Sequence, residues 1–525
     1  MNASANSTGI IPRCLLAPGT LLAGLACALS CTMATAGAPD DPYLHSEGSW
    51  SQAFADQWAL ENVRVYTDAA ETFGTGQVRR STIVAVIDTG LDYTHPDFAA
   101  ARLWHNSREE KNGYDDDNNG FVDDLIGWNF VDGNNNPWDL SGHGTHISGI
   151  IAACTDNGLG IAGVDGDALI MPLKVANFTG QARSSAVAAA IYYAVDHGAR
   201  VINLSLGSEL VTDLERQAAE HARDNDVLII VSAGNKGLST AYTGYATLPG
   251  ALVVGASDPN GERAGFSNFG TSLAVLAPGV DVLSLRARDT DFIGLSQPLD
   301  YDEGAAFVGE ADEYYRASGT SFSAAMVSGL ASRLMADRPS LRAEEVRRIL
   351  TQSAVDVGAE GVDQTSGYGR VDYVRALAAA PEAYIHARLV GADLSLADEK
   401  IWIAIEGHAD ARAFAGAELS VRAAPGSIAA PEEDPKAKKK KKKKNDEPAA
   451  PSPYDWQPFG APIASAVNEG PLATLDLDTL TAMTGGTSAW ELRLVVRDQN
   501  GESRESRMNM ALPVPAAQVP AETGR

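Results

Sequence analysis

From residue 83 onward, short runs of Val, Ile, Leu and Ala alternate with stretches in which apolar positions return every three or four residues. The runs at 83–87, 170–175, 201–206, 227–231, 252–255 and 274–276 are continuously apolar, as expected of strands buried on both faces. The spacing predicts helices over 143–153, 184–197, 212–224, 321–335 and 342–353. Strands alternating with helices imply a parallel sheet covered by helices, an α/β three-layer sandwich. This block is read as residues 79–380, preceded by an arm at 37–78.

Beyond 383 the pattern changes. Runs at 383–394, 401–406, 417–423, 473–475 and 490–496 are strand-like and separated by turn residues, which predicts a separate antiparallel β-sandwich over 383–515. An insertion at 431–453 interrupts it. Prolines bracket eight lysines (Lys436 and Lys438 to Lys444), a like-charge block that is read as unfolded. It reads as a solvated loop or as a contact for an acidic surface, anionic lipid or nucleic acid.

Residues 1–36 read as an export signal: Arg13, an apolar run, then Ala34-Thr-Ala36 as a small-x-small cleavage site. Ala28-Leu-Ser-Cys31 offers a second reading, a lipid anchor at Cys31. Pro18, Gly19 and Thr20 interrupt the run and argue against a permanent membrane span. The chain is therefore expected to be secreted, periplasmic or held at the cell surface.

Composition narrows the functional classes. The 525 residues carry a net charge of −27, and without the lysine run the remainder carries −35. No basic face for nucleic acid is expected. Three of the four cysteines (Cys14, Cys27, Cys31, Cys154) lie in the export segment, so no disulfide framework is expected.

Three segments carry chemistry. Asp88 ends a buried strand in Val84-Ala-Val-Ile-Asp-Thr-Gly, where a carboxylate needs a partner. His143 opens a helix between two glycines in Ser141-Gly-His-Gly-Thr-His146. Ser321 follows Gly319-Thr320 at a helix start, where free N–H groups can meet an oxyanion. A serine hydroxyl becomes a nucleophile when a histidine takes its proton and a carboxylate orients that histidine.

Together with Ser232-Ala-Gly-Asn235, these segments resemble the subtilisin-like serine proteases (subtilases) over about residues 55–380, beginning at Gln57-Trp-Ala-Leu. The resemblance implies a serine endopeptidase with Asp88, His143 and Ser321 as triad and Asn235 as side-chain donor to the oxyanion. It implies that Ser205, Leu206 and Gly207 pair with an extended substrate backbone. Ser232, Ala233 and Gly234 would form the other wall of the pocket for the residue before the cut. His146 matches a structural histidine. The C-terminal region resembles an immunoglobulin-like accessory domain.

Calcium (Ca2+) is the expected cofactor. Asp115, Asp117, Asn119 and the residue after Gly120, Phe121, follow the first half of an EF-hand loop, with Asp123 or Asp124 to close the shell in place of the missing Glu. An acidic turn without metal is the alternative. A second site is implied by the resemblance: Asp97 with Asp156 or Asn157. Cys154, in the same loop, is read as buried and not as a nucleophile.

Three departures from the family pattern stand out. The segment between 37 and 57 is too short for a folded propeptide. Ala325 and Met326 stand where the family has Pro and often His, which motivates a transpeptidase variant of the same chemistry. An acidic insertion at 286–317 is expected to border the leaving-group side of the cleft and to attract basic substrates. The expected partners are protein or peptide substrates. No nucleic acid and no second subunit is expected. A catalytically dead scaffold is the rival class.

Overall fold

The computed structural model describes residues 38–67, 80–295, 301–427 and 452–512. The expected export segment, the lysine run and Asp300 lie outside the described residues. A short helix α1 (Trp58–Val63) precedes the sheet. Seven strands then form one parallel sheet: β1 (Ile83–Asp88), β2 (Trp128–Asn129), β3 (Leu169–Lys174), β4 (Val201–Leu204), β5 (Leu228–Ser232), β6 (Leu252–Ser257) and β7 (Leu273–Pro278). Their order is β2-β3-β1-β4-β5-β6-β7, so strand order turns at β1. Crevices at the carboxyl ends of strands beside such a turn are where ligands bind in this class of sheet.

Helices α2 (His143–Ala152), α3 (Ser184–Asp196), α4 (Asp213–Asp224), the single turn α5 (Phe292–Leu295), α6 (Thr320–Asp337), α7 (Ala343–Gln352) and α8 (Tyr373–Ala378) follow in chain order. Alternate residues of β1 enter different cores. Val84 and Val86 join Ile147, Ile151, Leu330 and Leu334 of α2 and α6. Ala85 and Ile87 join Val187, Ile191, Ala218 and Ala222 of α3 and α4. This is the three-layer sandwich expected, and it explains why the strand runs are apolar at every position. Each fully buried Val, Ile or Leu contributes about 1.5–3 kcal/mol. Helix α4 is held at its start by a capping box between Thr212 and Glu215.

The segment 286–317, read from sequence as an acidic insertion, contains regular structure. Together with β8 (Val282–Leu285), β9 (Phe307–Val308) and β10 (Tyr314–Ala317) form a three-stranded antiparallel sheet in the order β8-β10-β9. Strands this short carry too few residues to show a period.

Beyond Ala383, β11 (Ile385–Ala397), β12 (Lys400–Ala411) and β15 (Val467–Asp476) form one antiparallel sheet. Strands β13 (Phe414–Ala423), β14 (Gln457–Ile463), β16 (Ala489–Asp498) and β17 (Ser503–Ala511) form another. Helix α9 (Leu477–Met483) links β15 to β16. The two sheets enclose a core of Ile403, Ile405, Val421, Trp490, Leu492 and Leu494, all fully buried. Trp490 satisfies its indole N–H on Thr484 Oγ1 at 2.8 Å. These strands outrun the apolar runs because their exposed ends need no apolar side chains. Strands β14 and β17 were not expected: Pro458 and Pro462 break the signal in one, and charged residues dominate the other. No helix among the described residues is long and apolar enough to cross a membrane.

Candidate active site

Three strand ends and two helix starts build the cleft. Asp88 is the last residue of β1 and is fully buried. Its Oδ1 accepts the Thr89 backbone N–H at 2.8 Å and lies 2.8 Å from His143 Nδ1. His143 is the first residue of α2, with its side chain 20% exposed. The flanking glycines are required by space: a Cβ on Gly144 would lie 2.2 Å from the Gly90 carbonyl oxygen, and one on Gly142 2.5 Å from Thr290 Oγ1. Burial opposes charging of the His143 ring. The charge and hydrogen bond of Asp88 outweigh it, Asp139 adds to them, and the imidazole is held above its ordinary value.

Asp139 was not singled out from the sequence. It is fully buried and receives Ser141 N, Gly142 N and Thr145 N, each at 2.9 Å, and Thr145 Oγ1 at 2.8 Å. It thereby fixes the turn that presents His143 and places a carboxylate at the positive end of α2. Lys174, paired in register with Asp88, is likewise buried and donates to the Thr89 carbonyl at 2.5 Å. Burial lowers its amine, and the carboxylates of Asp139, Asp132 and Asp88 counter that effect. Lys174 looked like an ordinary polar position because its partner is remote in sequence, whereas Asp139 binds nearby backbone in a loop that no short motif marks.

Ser321 stands in the first turn of α6 and is 8% exposed. In this rotamer its hydroxyl is directed to the Ser205 carbonyl at 3.3 Å, and no hydrogen bond to His143 is formed. The two residues share neighbours. Phe322 packs on the His143 ring at 5.8 Å between centroids, and Ser205 and Gly207 line both the Ser321 and the His143 sides of the cleft.

Asn235 is held by Thr320. Its Oδ1 accepts Thr320 N at 2.9 Å and Thr320 Oγ1 at 2.8 Å, which leaves Nδ2 as the free end. The same Thr320 hydroxyl accepts Gly234 N at 3.0 Å. The cavity that Asn235 and Ser321 line measures about 980 Å³ and is bounded by Ser205, Gly207, Ser232 and Gly234. Leu206 faces the neighbouring cavity beside His143, while Ala233 is buried in the core beneath the wall. His146 is fully buried, bonds the Tyr315 carbonyl at 2.9 Å, and is pushed down to about 3 by burial, so it stays neutral.

The insertion meets His143 directly. Phe292 stacks edge-on against its ring at 5.7 Å. Asp291 turns inward onto Tyr315 OH at 2.5 Å, Tyr301 OH at 2.9 Å and the N–H groups of Gly294 and Gly304. Part of the insertion's acidity is thus spent internally.

The first candidate calcium loop gathers differently from the sequence expectation. Oxygens of Asp115, Asp117 and the buried Glu109 lie within 4.8 Å of one another. Glu109 precedes the motif and was not anticipated. Asp123 instead accepts Asn112 N and Gly113 N. Asp124 is fully buried and accepts Asn106 Nδ2, Asn119 Nδ2 and Tyr193 OH, so its lone pairs serve the fold. The Asn119 side-chain oxygen accepts Phe121 N at 2.7 Å.

The second position has a member outside the expected set. Asp97 is fully buried and accepts Asn157 Nδ2 at 2.8 Å and Ile161 N at 2.9 Å. Beside it Asp41 is also fully buried: one oxygen accepts Asp156 N at 2.9 Å, and Oδ1 has no partner among the described residues. Burial pushes Asp97 up to about 7, and burial also raises Asp41. Two buried carboxylates with one orphaned oxygen, beside the backbone of the 154–161 loop, fit an oxygen-seeking cation. The side chain of Asp156 is exposed, and Asn157 is the one in contact with Asp97. Cys154 is buried and its sulfur accepts Ala99 N.

A parallel-sheet fold with a buried acid–imidazole pair at a strand end and a serine at a helix start has the layout of the serine hydrolases. The subtilase family model matches residues 79–369, and the chain belongs to that family. It is 34% identical over 313 residues to a thermophilic serine proteinase of Bacillus sp. (strain AK1), covering 59% of this chain and 65% of that protein. It is 33% identical over 344 residues to a cell wall-associated protease of Bacillus subtilis (strain 168), covering 61% and 33%. It is 30% identical over 329 residues to thermitase of Thermoactinomyces vulgaris, covering 63% and 96%. The chain spans less than two thirds of the length of the first two relatives and nearly all of thermitase.

Proposed function

We propose that this chain is an exported serine endopeptidase that hydrolyses protein or peptide substrates through an acyl-enzyme. The observation that carries the reading is the 2.8 Å contact between Asp88 and His143 beside a helix-start serine and a free amide end of Asn235. His143 Nε2 takes the Ser321 proton as Oγ bonds to the substrate carbonyl carbon. The carbonyl electron pair moves onto oxygen, where Asn235 Nδ2 and the Ser321 N–H receive it. Collapse expels the amine, which takes the proton from His143. Water then repeats the sequence on the ester and frees the acid. Asp88 fixes the tautomer and stabilises the imidazolium without itself taking the proton.

The extended substrate lies along Ser205–Gly207, and the residue before the cut enters the cavity bounded by Ser232–Gly234. Asp41, Asp97, Asn157 and carbonyls of the 154–161 loop would hold a calcium ion, which would tie the N-terminal arm to the α/β block. Glu109, Asp115 and Asp117 would hold a second ion, with Asn119 and Phe121 contributing from the same turn. Export is favoured by the signal-like N-terminus and by a cell wall-associated relative. Cleavage of a protein substrate by the full chain, lost in Ser321→Ala, tests the reading.

A second reading, a scaffold without activity, has one observation in its favour: the Ser321 hydroxyl faces Ser205 and not His143. Covalent labelling of Ser321 separates the two, because a serine without a working base stays unlabelled.

A further inference from the structure

A polar cavity of about 100 Å³, sharing no lining residue with the catalytic cleft, lies where the parallel-sheet block meets the sandwich. That is room for about three waters at roughly 30 Å³ each. Arg347 and Arg348 of α7 and Tyr368 line one side. His386 and Arg388 of β11 and Asp410 of β12 line the other. The two carboxylates present are already engaged. Glu344 pairs with Arg347 at 2.8 Å and with Arg348 at 3.2 Å, and Asp410 accepts Tyr384 OH at 2.9 Å. The guanidiniums are not used up. A guanidinium has five N–H donors, and Arg388 places one nitrogen on the carbonyls of Thr271 and Leu273. Tyr368 is 6% exposed and lines the cavity. Arg504 adds a further cation, 5.2 Å above the Tyr368 ring. His386, stacked on His408 at 4.6 Å, is kept neutral by burial and the adjacent cations.

We infer that this junction is a binding site for a small tetrahedral oxyanion of the sulfate or phosphate class, bridging Arg347 of the α/β block to Arg388 of the sandwich. Unspent guanidinium donors in a confined space suit an acceptor-only ligand with several oxygens, and planar forks suit an oxyanion better than a spherical halide. The Tyr368 hydroxyl can donate one further hydrogen bond to such a ligand. Such a ligand would pin the accessory sandwich in place without touching the cleft.

The test uses the full chain carrying Ser321→Ala, which prevents self-digestion, and sodium sulfate as the probe because it leaves calcium in solution. Isothermal titration at constant ionic strength is expected to show one saturable site per chain, and the melting temperature is expected to rise by several degrees. A phosphate arm at low calcium distinguishes the two oxyanions. Binding is expected to weaken at least tenfold in Arg347→Gln. In Tyr368→Phe, which removes one oxygen and keeps shape and charge, it is expected to weaken several-fold. Titration without saturation, a melting shift reproduced by chloride, or unchanged binding in both variants would overturn the site and leave a water-filled junction. None of these outcomes depends on whether the serine is active.

Discussion

Asn235 and Thr320 are locked to each other by two hydrogen bonds onto one oxygen, at 2.9 and 2.8 Å, so only the amide nitrogen of Asn235 can face the cleft. On the proposed mechanism, the oxyanion donor is therefore oriented before substrate arrives. Asn235→Ala is expected to lower kcat by about 10²–10³-fold, the magnitude known for this donor in the family, with KM little changed. Thr320→Val removes the hydroxyl bond of the pair, leaves the backbone bond and the donor, and is expected to lower kcat by up to roughly tenfold. Steady-state kinetics on a peptide substrate distinguishes the two.

Asp139 acts through His143. It holds the helix start by four hydrogen bonds and adds negative charge beside the ring. The base must be neutral to accept the serine proton, so activity falls as pH drops through the imidazole pKa. Because that pKa is raised, the acid limb of kcat/KM is expected above the ordinary imidazole value of about 6.5. In Asp139→Asn the limb is expected to move to lower pH, alongside any loss of rate. A variant with reduced rate and an unmoved limb would assign Asp139 a purely structural part.

With the proposed calcium at the buried pair Asp41 and Asp97, calcium dependence is expected to vary with pH. In metal-free protein the folded-state pKa of Asp97, about 7, lies above its unfolded value of about 3.9. Its contribution is fully present below the unfolded value and is lost as pH rises through the folded value, so melting temperature in chelator should fall between about pH 4 and pH 7. Calcium requires the carboxylate, so the stabilisation it gives should grow over the same window. Calorimetry of Ser321→Ala protein with and without chelator checks both signs. Asp41→Asn should remove most of the calcium increment at pH 8.

The insertion places Phe292 on the His143 imidazole. Phe292→Ala is expected to lower kcat/KM by roughly tenfold, through a less confined His143 and a widened cavity beside Leu206 and Leu295. With Asp291 turned inward, a preference for basic substrates would have to come from the exposed acids of the insertion. A peptide library showing no preference for Lys or Arg near the cut would remove that expectation.

What was legible in the sequence follows from how local each signal is. Strands β1 and β3 to β7 announce themselves because burial on both faces demands unbroken apolar runs. Asp88, His143, Asn235 and Ser321 stand in short segments whose neighbours define their setting. Lys174, Thr320 and Asp41 matter through partners distant in the chain, while Asp139 and Glu109 bind nearby loop backbone that no apolar period or short motif marks. Asp41 in particular is one acid among several near the N-terminus until the fold buries it beside Asp97. Strands β14 and β17 were hidden by prolines and by charge on exposed positions.

The account turns on whether Ser321 is an activated nucleophile. Purified chain in calcium should be treated with a fluorophosphonate probe and the label located by mass spectrometry, with Ser321→Ala and Asp88→Asn as controls. The account predicts stoichiometric labelling at Ser321, none in Ser321→Ala, labelling slowed by several orders of magnitude in Asp88→Asn, and loss of label on chelation. Folded, calcium-loaded protein that leaves Ser321 unmodified would contradict it and point to a scaffold.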